Sequence, residues 1–187
     1  MPIRLRLASH LAVVLWAFLL EVKMKLNQYP SQEYLNSILE YRDGKLYWKQ
    51  TKSNKKIGDR AGCLHRQTGY RRIIIDYASY LEHRIIWIMF NGDIPSGMEM
   101  DHMNRIRDDN RIENLRLVNK SLNQMNCNGK NLNTINGKKK FRGHYTYQGK
   151  TITKTFYTEQ EAIEWVNEKK SEIFQEWGLT WTIPVIE

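Results

Sequence analysis

Short stretches of alternating or helically spaced hydrophobic residues run through this chain and predict a mixed α+β fold. In the first of them, Leu35, Ile38 and Leu39 recur at the spacing of one helix face. Ser31, which follows a proline, is a suitable N-cap for such a helix. We therefore predict a helix over residues 31–41.

Strand patterns follow this helix. An Asp-Gly turn signal precedes residues 45–49, in which polar and hydrophobic positions alternate. Segments 69–75 and 78–82 show the same pattern and predict a two-stranded ribbon. A helix is predicted next, over residues 83–90. The first half of the chain is therefore expected to be rich in β-structure.

Residues 99–126 are markedly polar, with short hydrophobic patterns at either end. They predict a strand that ends in Asp101 and His102, a long polar loop, a short strand over residues 115–118 and then a helix. Asn119 is a suitable N-cap for this helix, because its side chain can accept a hydrogen bond from a free amide of the first turn.

The C-terminal part of the chain predicts a hairpin and a helix. Residues 141–147 and 151–156 alternate around a Gln-Gly turn. Thr158 and Glu161 then form a capping box, behind which hydrophobic residues recur at helical spacing. Gly178 is expected to end this helix.

These patterns divide the chain into parts. We predict a first domain over residues 24–127, an Asn- and Gly-rich linker over 128–137 and a small hairpin–helix module over 138–187. Residues 1–23 contain an apolar run that is too short to span a bilayer comfortably. We interpret them as translation from a mis-called start before Met24, or as a short hydrophobic helix packed on the domain.

Composition narrows the partners and the compartment. Lys and Arg number 29 against 20 Asp and Glu, and the net charge of +9 favours a polyanionic partner over a membrane. The two cysteines, Cys63 and Cys127, lie far apart without a C-x-x-C pair. A structural zinc site and a disulfide framework are therefore not expected. We expect a reducing, cytoplasmic location.

The polar stretch suits hydrolysis of a phosphodiester. A hard divalent cation prefers oxygen ligands, which Asp101 and the side-chain carbonyl of Asn123 can supply. His102 can take a proton from the attacking water, since an imidazole titrates near neutral pH. Asn114 is expected to hold the loop and the imidazole in register. His83, on the preceding helix, is interpreted as structural support near this site.

These residues resemble the motif of the HNH (His-Me finger) endonucleases, in particular the phage and intron homing type. The matching positions are Asp101-His102, Asn114 followed by Leu-Arg, and Asn123. The resemblance implies a ββα-metal catalytic domain, one Mg²⁺ or Mn²⁺ and products with 5′-phosphate and 3′-hydroxyl ends. The last motif position is Asn rather than His, and in this respect the chain resembles enzymes that nick one strand. The alternative is a catalytically inactive DNA-binding protein with the same basic surface.

Double-stranded DNA is the expected partner, bound by a monomer without a small-molecule cofactor. Planar guanidinium groups in and after the catalytic loop suit contact with phosphates; they belong to Arg105, Arg107, Arg111 and Arg116. The basic hairpin and its helix resemble the apetala-type DNA-binding domain, in which the sheet enters the major groove. That resemblance implies DNA contacts from Arg142, Tyr145, Tyr147, Lys150 and Lys154.

Overall fold

The computed structural model describes residues 29–51, 54–127, 131–135 and 140–181. The predicted N-terminal segment, residues 1–23, lies outside the described residues. Helices and small antiparallel sheets alternate along the described chain, so the predicted α+β class is confirmed. None of the described helices is long and apolar enough to cross a membrane.

The described chain begins with a helix and a hairpin: α1 (Gln32–Ile38), β1 (Leu39–Arg42) and β2 (Lys45–Trp48). The Ser31 hydroxyl accepts a hydrogen bond from the amide of Tyr34, as its predicted role as N-cap requires. The helix ends earlier than predicted, because the buried Leu39 pairs with Trp48 in the antiparallel β1–β2 ladder. Leu39 fits the helical spacing of the sequence, but in the structure it is the first residue of a strand.

A three-stranded antiparallel sheet follows, in the order β3 (Cys63–His65), β4 (Tyr70–Ile75) and β5 (Ala78–Leu81). The sequence predicted the last two strands only, since β3 is too short to show a clear alternation. The next helix, α2 (Glu82–Asn91), buries Ile85, Ile86 and Ile88 in the same core as Ile73 and Ile75.

The polar stretch forms the predicted strand–strand–helix unit. β6 (Met98–His102) pairs antiparallel with β7 (Leu115–Asn119), and α3 (Lys120–Asn126) follows at once. The register places Asp101 opposite Arg116 and His102 opposite Leu115. Asn119 caps α3 through a 3.0 Å hydrogen bond from the amide of Leu122 to its side-chain oxygen.

The C-terminal part contains one strand more than predicted. Its sheet has the order β10 (Lys150–Phe156), β9 (Lys140–Tyr147) and β8 (Leu132–Ile135), and α4 (Glu159–Glu176) packs on it. β8 lies within residues 128–137, for which a linker was predicted, so part of that segment belongs to the C-terminal sheet. The capping box of Thr158 and Glu161 is present.

Two hydrophobic clusters organise the described chain. The first lies among α1, α2 and the strands β1, β2, β4 and β6. The second joins the strand–strand–helix unit to the C-terminal part, and its buried members are Val118, Leu122, Met125, Tyr145, Phe174 and Trp181. The C-terminal part thus shares a core with α3 and β7 and packs directly on the polar site.

Candidate active site

A cavity of about 100 Å³ opens between the end of β6 and α3. Three of the four residues predicted for catalysis and metal binding line this cavity together: Asp101, His102 and Asn123. Asn114 lies outside the wall, at the end of a single 3₁₀ turn before β7. The other lining residues are Tyr70, Met100, Arg105, Arg107, Asn126 and Cys127.

Asp101 is only 5 % exposed and both of its carboxylate oxygens are engaged. Oδ2 accepts a 2.8 Å hydrogen bond from Nε of Arg116, whose Nη2 lies at the same distance. Oδ1 accepts a 2.7 Å hydrogen bond from Nδ2 of Asn126. The guanidinium group therefore compensates the charge of this carboxylate, and the amide fixes its orientation.

Arg116 is buried, which contradicts its prediction as a DNA contact. Its guanidinium carbon lies 4.4 Å from the ring centroid of Phe174 in α4, and its Nη1 donates to the carbonyl of Thr180. A cation enclosed by an aromatic ring, a carbonyl and a carboxylate has no free face for a phosphate. The C-terminal part of the chain therefore holds the partner of Asp101.

His102 is 4 % exposed, and its Nε2 lies 3.0 Å from Oδ1 of Asn110. Nδ2 of Asn110 lies 3.4 Å from Oε2 of Glu82. Because a carboxylate only accepts hydrogen bonds, the amide must turn its Nδ2 towards Glu82 and its oxygen towards the imidazole. Nε2 of His102 is then the protonated nitrogen, and Nδ1 is the one that can accept a proton.

Glu82 begins α2 with its side chain fully buried. Its negative charge is compensated by two arginines: Nη1 of Arg60 lies 2.6 Å from Oε1, and Nε of Arg71 lies 2.7 Å from Oε2. Burial lowers the pKa of His102, an effect opposed by its hydrogen bond to Asn110 and by the charge of Asp101. Burial therefore favours the neutral imidazole, which is the form that a proton acceptor requires.

Asn114 holds the catalytic loop. Its side-chain oxygen accepts from the amide of Asn104 at 3.0 Å, and its Nδ2 donates to the carbonyl of Asp109 at 2.8 Å. The side chain that contacts the imidazole is that of Asn110. Asn114 thus acts on the loop, while a different amide orients the ring.

A divalent cation fits the donor set of this cavity. Asp101 offers a carboxylate, and Asn123 offers a side-chain carbonyl. Nδ2 of Asn123 donates a 2.6 Å hydrogen bond to the carboxylate of Glu99. Within the described residues, His, Cys, Asp and Glu side chains form no group of three that could hold a metal. One carboxylate with further oxygen donors suits Mg²⁺, which completes its shell with water and substrate phosphates.

Two of the predicted phosphate contacts face the cavity. Arg105 and Arg107 line it, the first above the ring of Trp181 and the second above that of Tyr70. Arg111 does not line the cavity. It forms two hydrogen bonds to the carboxylate of Asp109, and these lower the pKa of the Asp109 carboxyl to about 2.

The C-terminal sheet has an open face and a face covered by α4. Side chains alternate between them, and Gly143 is on the covered face, where an added Cβ would lie 3.1 Å from the carbonyl of Ala162. Of the predicted DNA contacts in this part, only Arg142 projects from the open face. The cross-strand register assigns the following exposed residues to that face: Asn133, Lys140, Arg142, Thr146, Thr151, Thr153 and Thr155.

The other four predicted contacts lie on the covered face. Tyr145 is buried against Trp165, and the hydroxyl of Tyr147 accepts a hydrogen bond from Trp177. Lys150 and Lys154 are exposed, but they pair with Tyr147 and Gly143 across the hairpin. This placement is incompatible with the DNA contact predicted for Tyr145, and it turns the two lysines and Tyr147 away from the open face.

Sequence reasoning missed Glu82, Asn110 and Asn126. Glu82 and Asn110 are far apart in the chain, so no local spacing connects them. Asn126 could have been found, since it lies three residues after Asn123 and hence on the same face of α3.

One comparison with protein families covers the segment that carries this site. Residues 80–125 match the model of the HNH endonuclease family, which confirms the predicted resemblance for the segment that carries Asp101, His102, Asn114 and Asn123. This segment is therefore similar to HNH endonuclease domains. The apetala-type resemblance of the C-terminal part stays a prediction.

One solved structure, described as DNA binding and cleavage by the HNH homing endonuclease I-HmuI, matches this chain. The two chains are 18% identical, and the alignment covers 80% of this chain and 90% of the other with a TM-score of 0.40. A search of curated proteins finds no match.

Proposed function

We propose that this chain is a metal-dependent HNH endonuclease of the phage homing type that nicks one strand of double-stranded DNA. The observation that supports this most strongly is the meeting of Asp101, His102 and Asn123 around one cavity. All three lie within residues 80–125, and the match of these residues to the HNH endonuclease family supports the proposal.

The chain's own residues have distinct roles in this reaction. Asp101 and Asn123 would hold the cation, which when bound neutralises charge on the scissile phosphate and stabilises the leaving oxygen. Nδ1 of His102 takes the proton of the attacking water while Asn110 holds Nε2. Arg105 and Arg107, in the cavity wall, donate hydrogen bonds to phosphate oxygens.

DNA contact extends beyond the cavity. The net charge of +9 favours binding that weakens as salt rises, because bound DNA releases its counterions. In the C-terminal part, the open face of the sheet is free of α4 and carries Arg142 together with several threonines. We assign DNA backbone contact to this face.

Cleavage of supercoiled DNA tests the proposal. The purified protein is incubated with Mg²⁺, with Mn²⁺ and with chelator, and the products are separated on an agarose gel. We expect relaxed circles that require the metal, and a rate at least about 100-fold lower for His102→Ala, in line with the contribution of a general base. The control His65→Ala alters a histidine outside the cavity and should leave the rate unchanged.

A second candidate function, an inactive DNA-binding protein, is favoured by one observation. Arg116 already occupies Oδ2 of Asp101, and this contact opposes binding of a cation there. Salt-sensitive DNA binding without any metal-dependent cleavage would support this candidate and overturn the nuclease. Linear product would retain the nuclease but replace nicking with cleavage of both strands.

A further inference from the structure

Asn126, the last residue of α3, hydrogen-bonds Asp101 and His102, which are consecutive residues of the predicted active site. Its Nδ2 donates to Oδ1 of Asp101 at 2.7 Å and to the main-chain carbonyl of His102 at 2.9 Å. Both partners are acceptors, so the amide cannot be turned around without losing the two hydrogen bonds. The position of its oxygen is therefore fixed as well.

That oxygen has no hydrogen-bond partner among the described residues. Asn126 is 2 % exposed, and Oδ1 is buried. Buried acceptors in native proteins are almost always satisfied, and an ion or an ordered water commonly satisfies those that no protein group reaches. Asn126 lines the same cavity as Asp101 and Asn123, so a ligand in that cavity is available to it.

We propose that Asn126 is a third oxygen ligand of the divalent cation, beside Asp101 and Asn123. The inference rests on the proposed nuclease function and deepens it. Amide carbonyls are ordinary ligands of hard cations. Asn123 and Asn126 are three residues apart in α3, so one helix face presents both amides to the cavity.

The two ends of the Asn126 amide have separate tasks. Nδ2 orients the Asp101 carboxylate and ties it to the backbone of His102, whereas Oδ1 binds the cation. A substitution that keeps an oxygen but removes the donor therefore separates the ligand role from the structural one. Asn126→Asp is such a substitution, and Asn126→Ala removes both functions.

Binding of Mn²⁺ to the full chain without DNA tests the inference. Free Mn²⁺ is measured by electron paramagnetic resonance, and the rise of the melting temperature on adding Mn²⁺ provides a second readout. We expect Asn126→Ala to weaken Mn²⁺ binding at least about tenfold, and Asn126→Asp to bind at least as tightly as the wild type, because a carboxylate oxygen replaces the amide oxygen. Asn91→Ala, at the end of α2, is the matched control and should bind normally.

The outcomes separate the hypotheses. Unchanged Mn²⁺ affinity in Asn126→Ala, or affinity as low in Asn126→Asp as in Asn126→Ala, would show that Asn126 only orients Asp101. If Asn126→Ala does not fold, as judged by circular dichroism, the comparison of Asn126→Asp with the wild type decides alone. A wild type that neither binds Mn²⁺ nor cleaves DNA would overturn the proposed function itself.

Discussion

Glu82 and His83 are neighbours at the start of α2, and both are almost completely buried. Glu82 is compensated by two arginines, whereas His83 packs against the rings of Tyr70 and His102, with centroids 5.2 Å and 5.0 Å away. Burial lowers the pKa of His83 to about 3. His83 is therefore a neutral packing residue, in agreement with its interpretation as structural support.

This burial makes stability depend on pH. Unfolded His83 takes up a proton near pH 6.5 while the folded residue remains neutral to about pH 3, so the free energy of unfolding should fall as the pH falls between these values. The slope from this residue is at most about 1.4 kcal/mol per pH unit. Urea unfolding at several pH values should show a shallower dependence for His83→Phe than for the wild type.

His65→Phe is the control for this measurement. His65 is partly exposed and its ring hydrogen-bonds Thr68, so this variant controls for the loss of an imidazole outside the buried cluster. Equal slopes for the wild type and His83→Phe would contradict the prediction.

At the residue scale, sequence resemblance indicated candidate residues that lie at fixed spacing. Asp101, His102, Asn114 and Asn123 belong to one short segment. Glu82 and Arg60 act on His102 through a chain of contacts that folding assembles from distant segments. Arg116 has the chemistry of a phosphate ligand, but its position opposite Asp101 buries it, and charge alone does not reveal that.

At the scale of elements, the C-terminal sheet separates two kinds of basic residue. Arg142 pairs with exposed residues on both sides, Asn133 and Thr155, on the open face. Lys154 is on the covered face and lines a groove with Glu161, Glu164 and Glu168 of α4. A phosphate on that side would meet these carboxylates, so only the open face suits DNA.

Charge-matched variants test this distinction. Arg142→Gln and Lys154→Gln each remove one positive charge, and long-range attraction to DNA changes equally in both. We expect Arg142→Gln to weaken binding several-fold and to reduce the slope of log Kd against log salt by roughly one, as for loss of one phosphate contact. Lys154→Gln should have little effect. Fluorescence anisotropy with duplex DNA measures both, and equal losses would refute the assignment of faces.

The elements themselves were predicted wherever hydrophobic periodicity was sustained. The long helix α4 and the strands β9 and β10 were found with their turn and capping box. β3 and β8 were missed because they are short and polar, and each is stabilised by pairing with a longer neighbour. A pattern in the strand alone does not report such a neighbour.

At the scale of the whole molecule, the C-terminal part is tied to the strand–strand–helix unit of β6, β7 and α3 through several contacts. Lys170 in α4 donates to the carbonyl of Met125 at 2.9 Å, and Trp181 lies beneath the cations of both Lys170 and Arg105. Phe174 supports Arg116. Damage to this interface should therefore affect cleavage as well as stability.

Two substitutions in α4 separate these effects. Phe174→Leu retains a buried apolar side chain but removes the ring beneath Arg116, whereas Trp165→Leu removes a ring that contacts Tyr145 and Phe156 instead. Each should lower the free energy of unfolding by about 1–3 kcal/mol. Only Phe174→Leu should also reduce the cleavage rate, by roughly tenfold, since a desolvated cation–π contact contributes up to about 2 kcal/mol.

Urea unfolding and the supercoiled-DNA assay, run on the same preparations, measure the two quantities. Equal cleavage rates for the two variants would show that Arg116 keeps its position without the aromatic ring.

The contact of Arg116 with Phe174 and Thr180 has a consequence for the order of synthesis on the ribosome. Asp101 and His102 are translated well before the residues that hold the arginine beside them. A nascent chain that has not yet reached Phe174 has the complete motif but lacks the support for its carboxylate. We therefore expect the proposed nuclease centre to be complete only after α4 has been made and has folded back.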